Sequence, residues 1–326
     1  NSAIERDSNM AKMILTPNSE HRVELNFMDY HSLDQGGANP QGGLSITNDF
    51  VGREMDYQQF TANYQYQPID NDLIGIDATF YYNETTQVRS YDGVFVTANA
   101  GRVNRHSLDV MGVDFTNHSE IQIGNREHEI VFGIDYFTET QDGEETRATF
   151  FVPGAPGNAG GRPDAEADHF AVFLTDEVDL TEQFTLFAGV RFDTYETRQT
   201  AGGNLSQSDS ALSPNIGFDY DINKNLSLVG RYSKAFTEPT LNDLYQSGSH
   251  FGIVANEPFF VPQPPPVFFG PNYYEEVFVP NPNLMPETSD NFELAVHYED
   301  EDFHGGRVVS RLTGFYKQGE NTFDSE

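Results

Sequence analysis

The stretch "LIGIDATFYY", residues 73–82, alternates between apolar and polar side chains along most of its length. In an extended strand Ile76, Ala78 and Phe80 fall on one face, whereas Asp77 and Thr79 fall on the other. A period of two is typical of a strand whose two faces meet different surroundings. The stretch therefore predicts a β-strand with one apolar and one mixed face.

The same alternation recurs along the chain in "EIVFGIDY" (129–136), "FTLFAGVRFD" (184–193) and "NLSLVGRYS" (225–233). Several of these runs sustain ten residues or more, whereas strands of soluble sandwiches usually run about five or six. Repetition on this scale indicates about twelve strands. They are predicted near residues 10–16, 21–31, 54–67, 72–84, 105–117, 126–139, 168–180, 184–196, 211–221, 225–235, 290–300 and 306–317.

The connections between these strands alternate in length. Residues 179–183 and 221–225 make tight turns, whereas residues 140–168 and 236–289 make long connections. Short turns at one end and long loops at the other are typical of an antiparallel transmembrane β-barrel, in which apolar side chains face lipid and polar ones face the lumen. A soluble sandwich or propeller would also alternate, and it stays open as an alternative.

The barrel interpretation assigns a direction to individual side chains. The apolar positions predicted to face lipid are Phe80, Ile134, Leu186 and Leu228. The charged positions predicted to face the lumen are Asp77, Asp135, Arg191 and Arg231.

Composition excludes several functions. Eighteen basic and 51 acidic residues give a net charge of −33, which repels nucleic acid. The chain has no cysteine, which excludes disulfides, thiolate metal sites and a cysteine nucleophile. The sequence contains no run of about eighteen apolar residues that would form a spanning helix. It also contains no nucleophile elbow, phosphate-binding glycine loop or His-Glu-x-x-His motif, so we do not expect an enzyme.

Two proline-containing stretches bracket the longest connection: "GRYSKAFTEPTLNDLY" (230–245) and "VPNPNLMPETSDNFELAVHYE" (279–299). Pro239, Pro282 and Pro286 lack a backbone donor, so each is expected to stop the sheet ladder where a strand becomes a loop. We expect the two stretches to mark where the loop leaves and rejoins the sheet, a structural role that we favour over ligand contact. The other positions assigned to this architecture are Phe236, Asn281, Asn283, Leu284 and Glu287.

These two stretches resemble the paired signatures of TonB-dependent outer-membrane receptors, written "FRAPTLxELY" and "NPNLxPExSxxxExG". The resemblance in strand rhythm covers nearly the whole chain, and the specific motifs cover residues 230–299. It implies that residues 1–326 form part of one receptor barrel in the outer membrane of a Gram-negative bacterium. About twelve strands are fewer than the roughly 22 of a plugged transporter. The chain is therefore expected to be a fragment, with a plug domain and an energy-coupling box before Asn1.

In the haem and haemoprotein receptors of this family, a histidine between the two boxes binds haem on the extracellular side. His250 occupies the matching place, in "LYQSGSHFGIVANEP" (244–258), which shows neither strand nor helix period. The resemblance implies that residues 236–289 form a long extracellular loop and that His250 is an axial ligand of haem iron. Phe251, Tyr273 and Tyr274 are predicted to flank the planar macrocycle. No intrinsic cofactor is expected, because haem would be the transported ligand.

The first motif departs from the family pattern at Thr237 and Glu238, where the family has arginine and alanine. If the arginine braces the loop electrostatically, other groups must do so in this chain. Of the remaining histidines, His31 and His169 border loops, and we assign them no site.

The predicted function is active transport of haem, either free or extracted from a haemoprotein. TonB would supply the energy through the plug domain, and the barrel would contact outer-membrane lipid. A ferric-siderophore or other iron-chelate receptor is the alternative within the class. A passive porin and a secreted, acidic, β-rich glycan-binding protein are alternatives from other classes.

Overall fold

The computed structural model describes residues 3–37, 50–92, 103–146, 162–254 and 273–321, although the side chains of residues 3, 37, 50, 91–92, 145–146, 248–254 and 273–277 lie outside the description. Twelve long strands form one sheet, and two shorter strands form a separate pair. No helix among the described residues is long and apolar enough to cross a membrane. The elements are β1 (Ala3–Leu15), β2 (His21–Gly37), β3 (Phe50–Tyr66), β4 (Gly75–Asp92), β5 (Val103–Ile123), β6 (Arg126–Thr146), β7 (Ala165–Thr181), β8 (Phe184–Gln199), β9 (Ser206–Asn223), β10 (Leu226–Thr237), α1 (Leu241–Tyr245), β11 (Gly248–Val254), β12 (Tyr273–Phe278), β13 (Glu287–Phe303) and β14 (Gly306–Glu320).

The large sheet is an antiparallel meander in which the strands follow chain order from β1 to β10 and continue with β13 and β14. Each of the twelve predicted strands overlaps one strand of this sheet, so the prediction of an all-β antiparallel fold is confirmed. The separate pair, β11 and β12, lies within the connection between β10 and β13, where no regular structure was predicted. That part of the sequence prediction is wrong.

Cross-strand pairing separates the side chains into two faces, as the alternation predicted. On the polar face, Arg191 bonds to the carboxylates of Asp135 and Asp193, and Asp135 pairs in register with Asp114. On the opposite, apolar face, Leu186 of β8 pairs in register with Phe218 of β9. The sheet therefore has two chemically distinct sides.

The apolar face keeps large side chains exposed across the sheet. Leu174, Ile216 and Leu294 are exposed to 46%, 51% and 52% in the structure. In a water-soluble protein an apolar surface on this scale is normally covered by another layer. It is the surface that a membrane barrel presents to lipid.

The two ends of the sheet differ in their connections. At one end, the short-turn end, residues 124–125, 182–183, 224–225 and 304–305 join successive strands in two-residue turns. His304 and Gly305 both have positive φ, as the favoured two-residue hairpin turn requires. At the other end, the long-connection end, residues 238–286 separate β10 from β13. The predicted asymmetry of the connections is therefore confirmed.

Gly112 allows the ring of Tyr81 to lie close against β5 on the polar face. A Cβ at this position would overlap the ring of Tyr81, and it would come within 2.8 Å of the Cβ of Phe137. Only a glycine leaves that space, which the ring of Tyr81 occupies. Phe137 of β6 pairs in register with Gly112, and its ring lies close to the histidine described below.

Candidate functional site at the long-connection end

The two proline motifs close the strand pair that supports the longest connection. β10 ends at Thr237, which pairs in register with Glu287, the first residue of β13. Pro239 follows two residues after the last rung, and Pro286 directly precedes β13. Pro282 lies between them in a turn outside the strands. Strand termination at these positions is what the missing proline donors predict.

Helix α1 begins directly after Pro239 with a reciprocal cap. The Thr240 hydroxyl accepts the backbone N–H of Asp243 at 3.2 Å, and the Asp243 carboxylate accepts the backbone N–H of Thr240 at 2.9 Å. This capping box satisfies two backbone donors that the first turn leaves free. Five residues are too few to make a helix that is stable by itself, so tertiary contacts must hold α1.

Those contacts come from the polar face of β7 and β8. Leu244 and Tyr245 have no exposed surface, and the Tyr245 hydroxyl lies 2.7 Å from the Thr197 hydroxyl. Small side chains on β7 leave room for the helix. The buried cluster consists of Ala165, Ala167, Leu241, Leu244 and Tyr245, with Leu205 and Leu284 packed partly against it. The segment after β10 thus folds inward across the sheet.

The second motif is tied to the same helix. The backbone N–H of Asn281 donates to the Leu244 carbonyl at 2.9 Å. Within the turn, the Asn281 side chain accepts the backbone N–H of Asn283 at 3.3 Å, and the Asn281 carbonyl accepts the N–H of Leu284 at 3.2 Å. The Gln207 amide donates to the Leu284 carbonyl. Both ends of the long connection are therefore anchored to one place on the sheet.

Leu244 is expected to be the main apolar anchor. Replacing Leu244 by alanine should cost about 2–5 kcal/mol of local stability, because it leaves a cavity between α1 and the β7 alanines. The barrel should remain folded while residues 238–286 become more sensitive to limited proteolysis in detergent. Leu294→Ala, on the exposed apolar face, is the matched control and should leave the cleavage rate unchanged. Equal sensitivity in both variants would contradict the anchoring role.

His250 lies in the hairpin that α1 and the second motif support. β11 pairs with β12 through Ser249 and Val277 and again through Phe251 and Glu276. The register shifts between these two rungs, so the backbone of His250 stands outside the regular ladder. Such bulges redirect side chains and are frequent beside binding sites. The irregular loop predicted for this residue is thus a strand with a bulge.

The side chains predicted to contact haem, those of His250, Phe251, Tyr273 and Tyr274, lie outside the described residues. The proline-rich stretch that separates them in sequence, within residues 255–272, also lies outside the description. Phe236 is described, and its ring lies 6.1 Å from that of Tyr195. The ligand roles of His250, Phe251, Tyr273 and Tyr274 stay predictions.

A histidine that the sequence interpretation left unassigned sits beside the root of this connection. His169 is the fifth residue of β7 and only 8% exposed, so its assignment to a loop border is wrong. Its Nδ1 lies 3.0 Å from the carboxylate of Glu238. Its ring stacks on Phe137 at 4.0 Å, with Tyr195 at 6.4 Å. The acid that departs from the family pattern therefore has a partner on the sheet.

The surroundings of His169 are acidic and partly enclosed. Glu139 lies on the polar face of β6, beyond Tyr136, which is the last aromatic side chain on the opposite, apolar face of that strand. Burial raises the pKa of Glu139, His169 lowers it in part, and Glu238 raises it further. An open cavity of about 300 Å³ is lined by His169 and Glu238, and also by the ion-paired Arg191. The cavity can accommodate a small polar group, but it is too small to enclose a macrocycle.

Among the described residues, one group of three side chains has the spacing of a metal site: His31, Glu54 and Asp56. His31 lies in β2, which corrects its assignment to a loop border, and its Nδ1 lies 2.8 Å from Asp56. The group lies on β2 and β3, remote in the strand order from β7 and β10. It is not part of the candidate site.

The sequence analysis predicted neither helix α1 nor the contact between His169 and Glu238, but α1 carried a sequence signal. The Thr240-x-x-Asp243 spacing is a variant of the helix-capping signature and predicts α1. No local pattern connects His169 to Glu238, since 69 residues separate them.

A meander of long antiparallel strands, with one exposed apolar face and short turns at one end, defines the class of membrane β-barrels. The chain belongs to the "TonB dependent receptor-like, beta-barrel" family, whose model matches residues 13–325. Members of this family are transporters of the Gram-negative outer membrane rather than enzymes. The predicted fold, family and location are confirmed.

Two curated relatives and one solved structure are similar to the chain. "Heme/hemopexin utilization protein C" of Haemophilus influenzae is 26% identical over 282 residues, which are 84% of this chain and 33% of that protein. "Hemin receptor" of Yersinia pestis is 26% identical over 286 residues, 87% of this chain and 37% of that protein. The chain thus spans about a third of their length.

The solved structure is that of the Serratia marcescens hemophore receptor HasR, as a double mutant in complex with its hemophore HasA and heme. It superposes with a TM-score of 0.74 at 16% identity, covering 97% of this chain and 46% of that one. At this identity the likeness carries the fold alone.

Proposed function

We propose that the chain is part of a receptor that imports haem across the outer membrane. The observation that carries the proposal is the place of His250 at the bulge of a hairpin whose root is fastened to the sheet by α1 and the second motif. Neutral imidazole is a common axial ligand of haem iron. The names of the two curated relatives, a heme/hemopexin utilization protein and a hemin receptor, support haem as the cargo.

The proposed site lies on the extracellular side, because membrane barrels carry their longer connections there. His250 binds the iron, while Phe251, Tyr273 and Tyr274 contact the faces and edges of the macrocycle. One loop histidine supplies one axial position. The second ligand comes from another part of the receptor, for which the upstream plug domain is a candidate.

The haem arrives either free or from a haemoprotein. TonB energises its passage through the plug domain that we expect before Asn1. The cargo enters the lumen past α1, since the helix packs on the polar face at the end where the long connection begins. No cofactor of the protein's own takes part.

The full-length receptor tests this proposal. A Gram-negative strain that lacks its own haem receptors should grow on haem as sole iron source when it expresses the receptor, and growth should require TonB. Growth on a ferric siderophore but not on haem would favour the iron-chelate alternative. Growth that is independent of TonB would favour a passive porin.

A further inference from the structure

Glu238 makes a contact that bridges several strands. It follows β10, yet its carboxylate reaches His169 of β7, and β8 and β9 lie between those strands in the sheet. The segment after Thr237 must therefore turn across the polar face before α1 begins. The contact fixes the direction in which the long connection leaves the sheet.

His169 presents a rigid partner to this carboxylate. Its ring is nearly parallel to that of Phe137, at an angle of 10° and a distance of 4.0 Å, and Tyr195 stacks near it at 26°. Phe137 pairs in register with Gly112 of β5. A ring confined in this way loses little further freedom when Glu238 binds.

The chain between the pair and His250 is stiff at its start. Pro239 fixes φ directly after Glu238, and Thr240 caps α1 directly after the proline. Tyr245 then fastens the helix to Thr197. A displacement of Glu238 is accordingly carried into the helix rather than absorbed by a flexible linker.

We propose that the His169–Glu238 pair is a positioning device that sets the long connection for cargo binding. It fastens the strand end in place of the arginine that the family motif carries one position earlier, at Thr237 here. This inference rests on the proposed function, since the cargo whose binding it improves is haem. His169 acts through Glu238 and does not itself contact the iron.

A double-mutant cycle in the full-length receptor tests the device. His169→Ala and Glu238→Ala should each weaken haem binding by about 10-fold, and the double variant should be no weaker than either single variant, because one interaction is lost in all three. The Soret maximum should stay at the wild-type position. His128→Ala is the matched control, since His128 is also bonded to a carboxylate, Asp176 at 2.9 Å, but at the short-turn end.

A nitroxide at Ser247→Cys reports the connection directly, because residue 247 is exposed and this chain has no cysteine of its own. The His169→Ala background should increase its mobility, and the His128→Ala background should not. Additive losses of affinity, an unchanged nitroxide spectrum, or a shifted Soret maximum in His169→Ala would overturn the proposal. If the wild-type receptor binds no haem, the proposed function fails, while the nitroxide still tests the positioning contact.

Discussion

Replacing His250 by alanine in the full-length receptor is expected to weaken haem binding by about 100-fold, corresponding to ~2.7 kcal/mol. The reason is the loss of the proposed iron–nitrogen bond. The Soret maximum should shift because the axial ligand field changes. Titration of the purified receptor with haem, followed by absorbance, measures both quantities, and added imidazole should restore part of the wild-type spectrum.

His304→Ala is the matched control for this prediction. His304 lies in the turn between β13 and β14, at the end of the sheet opposite the long connection. Its loss should alter neither affinity nor spectrum. If the His250→Ala receptor keeps the wild-type spectrum and affinity and still supports growth on haem, His250 is not the ligand.

An arginine at Ile216 is expected to impair insertion of the barrel. Ile216 is 51% exposed on the apolar face of β9, in the middle of the run of alternate side chains from Leu212 to Tyr220. A cationic side chain at mid-membrane depth costs about 2–4 kcal/mol. Equilibrium refolding of the full-length receptor into lipid vesicles, followed by the heat-dependent shift in gel migration, measures the loss.

Asn215→Arg provides a control of identical chemistry one residue away. Asn215 belongs to the polar face, where it lies against Gly189, so the long side chain can extend toward water. Its effect on insertion should be under 1 kcal/mol, as expected for a substitution on the water-filled side. Equal losses in the two variants would mean that the faces of β9 are assigned the wrong way round.

The strands could be predicted from the sequence because each has one apolar and one polar face over much of its length. The positions where the strands end at the long-connection end could not be predicted, as β6 illustrates. It was predicted to end at residue 139 but continues to Thr146. Beyond Phe137 neither face carries a large apolar residue, so the alternation that marks a strand disappears although the ladder with β5 continues.

The supporting parts of the candidate site depended on contacts that are distant in sequence. α1 is only five residues long and exists because the alanines of β7 accept Leu244 and Tyr245. β11 contains glycines at positions 248 and 252, which hide a strand pattern. The strand ends beside Pro239 and Pro286 were predictable, because a missing donor is a property of the residue itself, independent of its neighbours.

The packing of α1 on the β7 alanines also limits how such receptors can be recombined. The helix belongs to the connection after β10, whereas the alanines that receive it lie on β7, more than 70 residues earlier in the chain. If the connection were transplanted into a barrel with bulkier residues in place of Ala165 and Ala167, α1 could not pack against the strand. We therefore expect a transplanted connection to fold in place only if β7 is transferred with it.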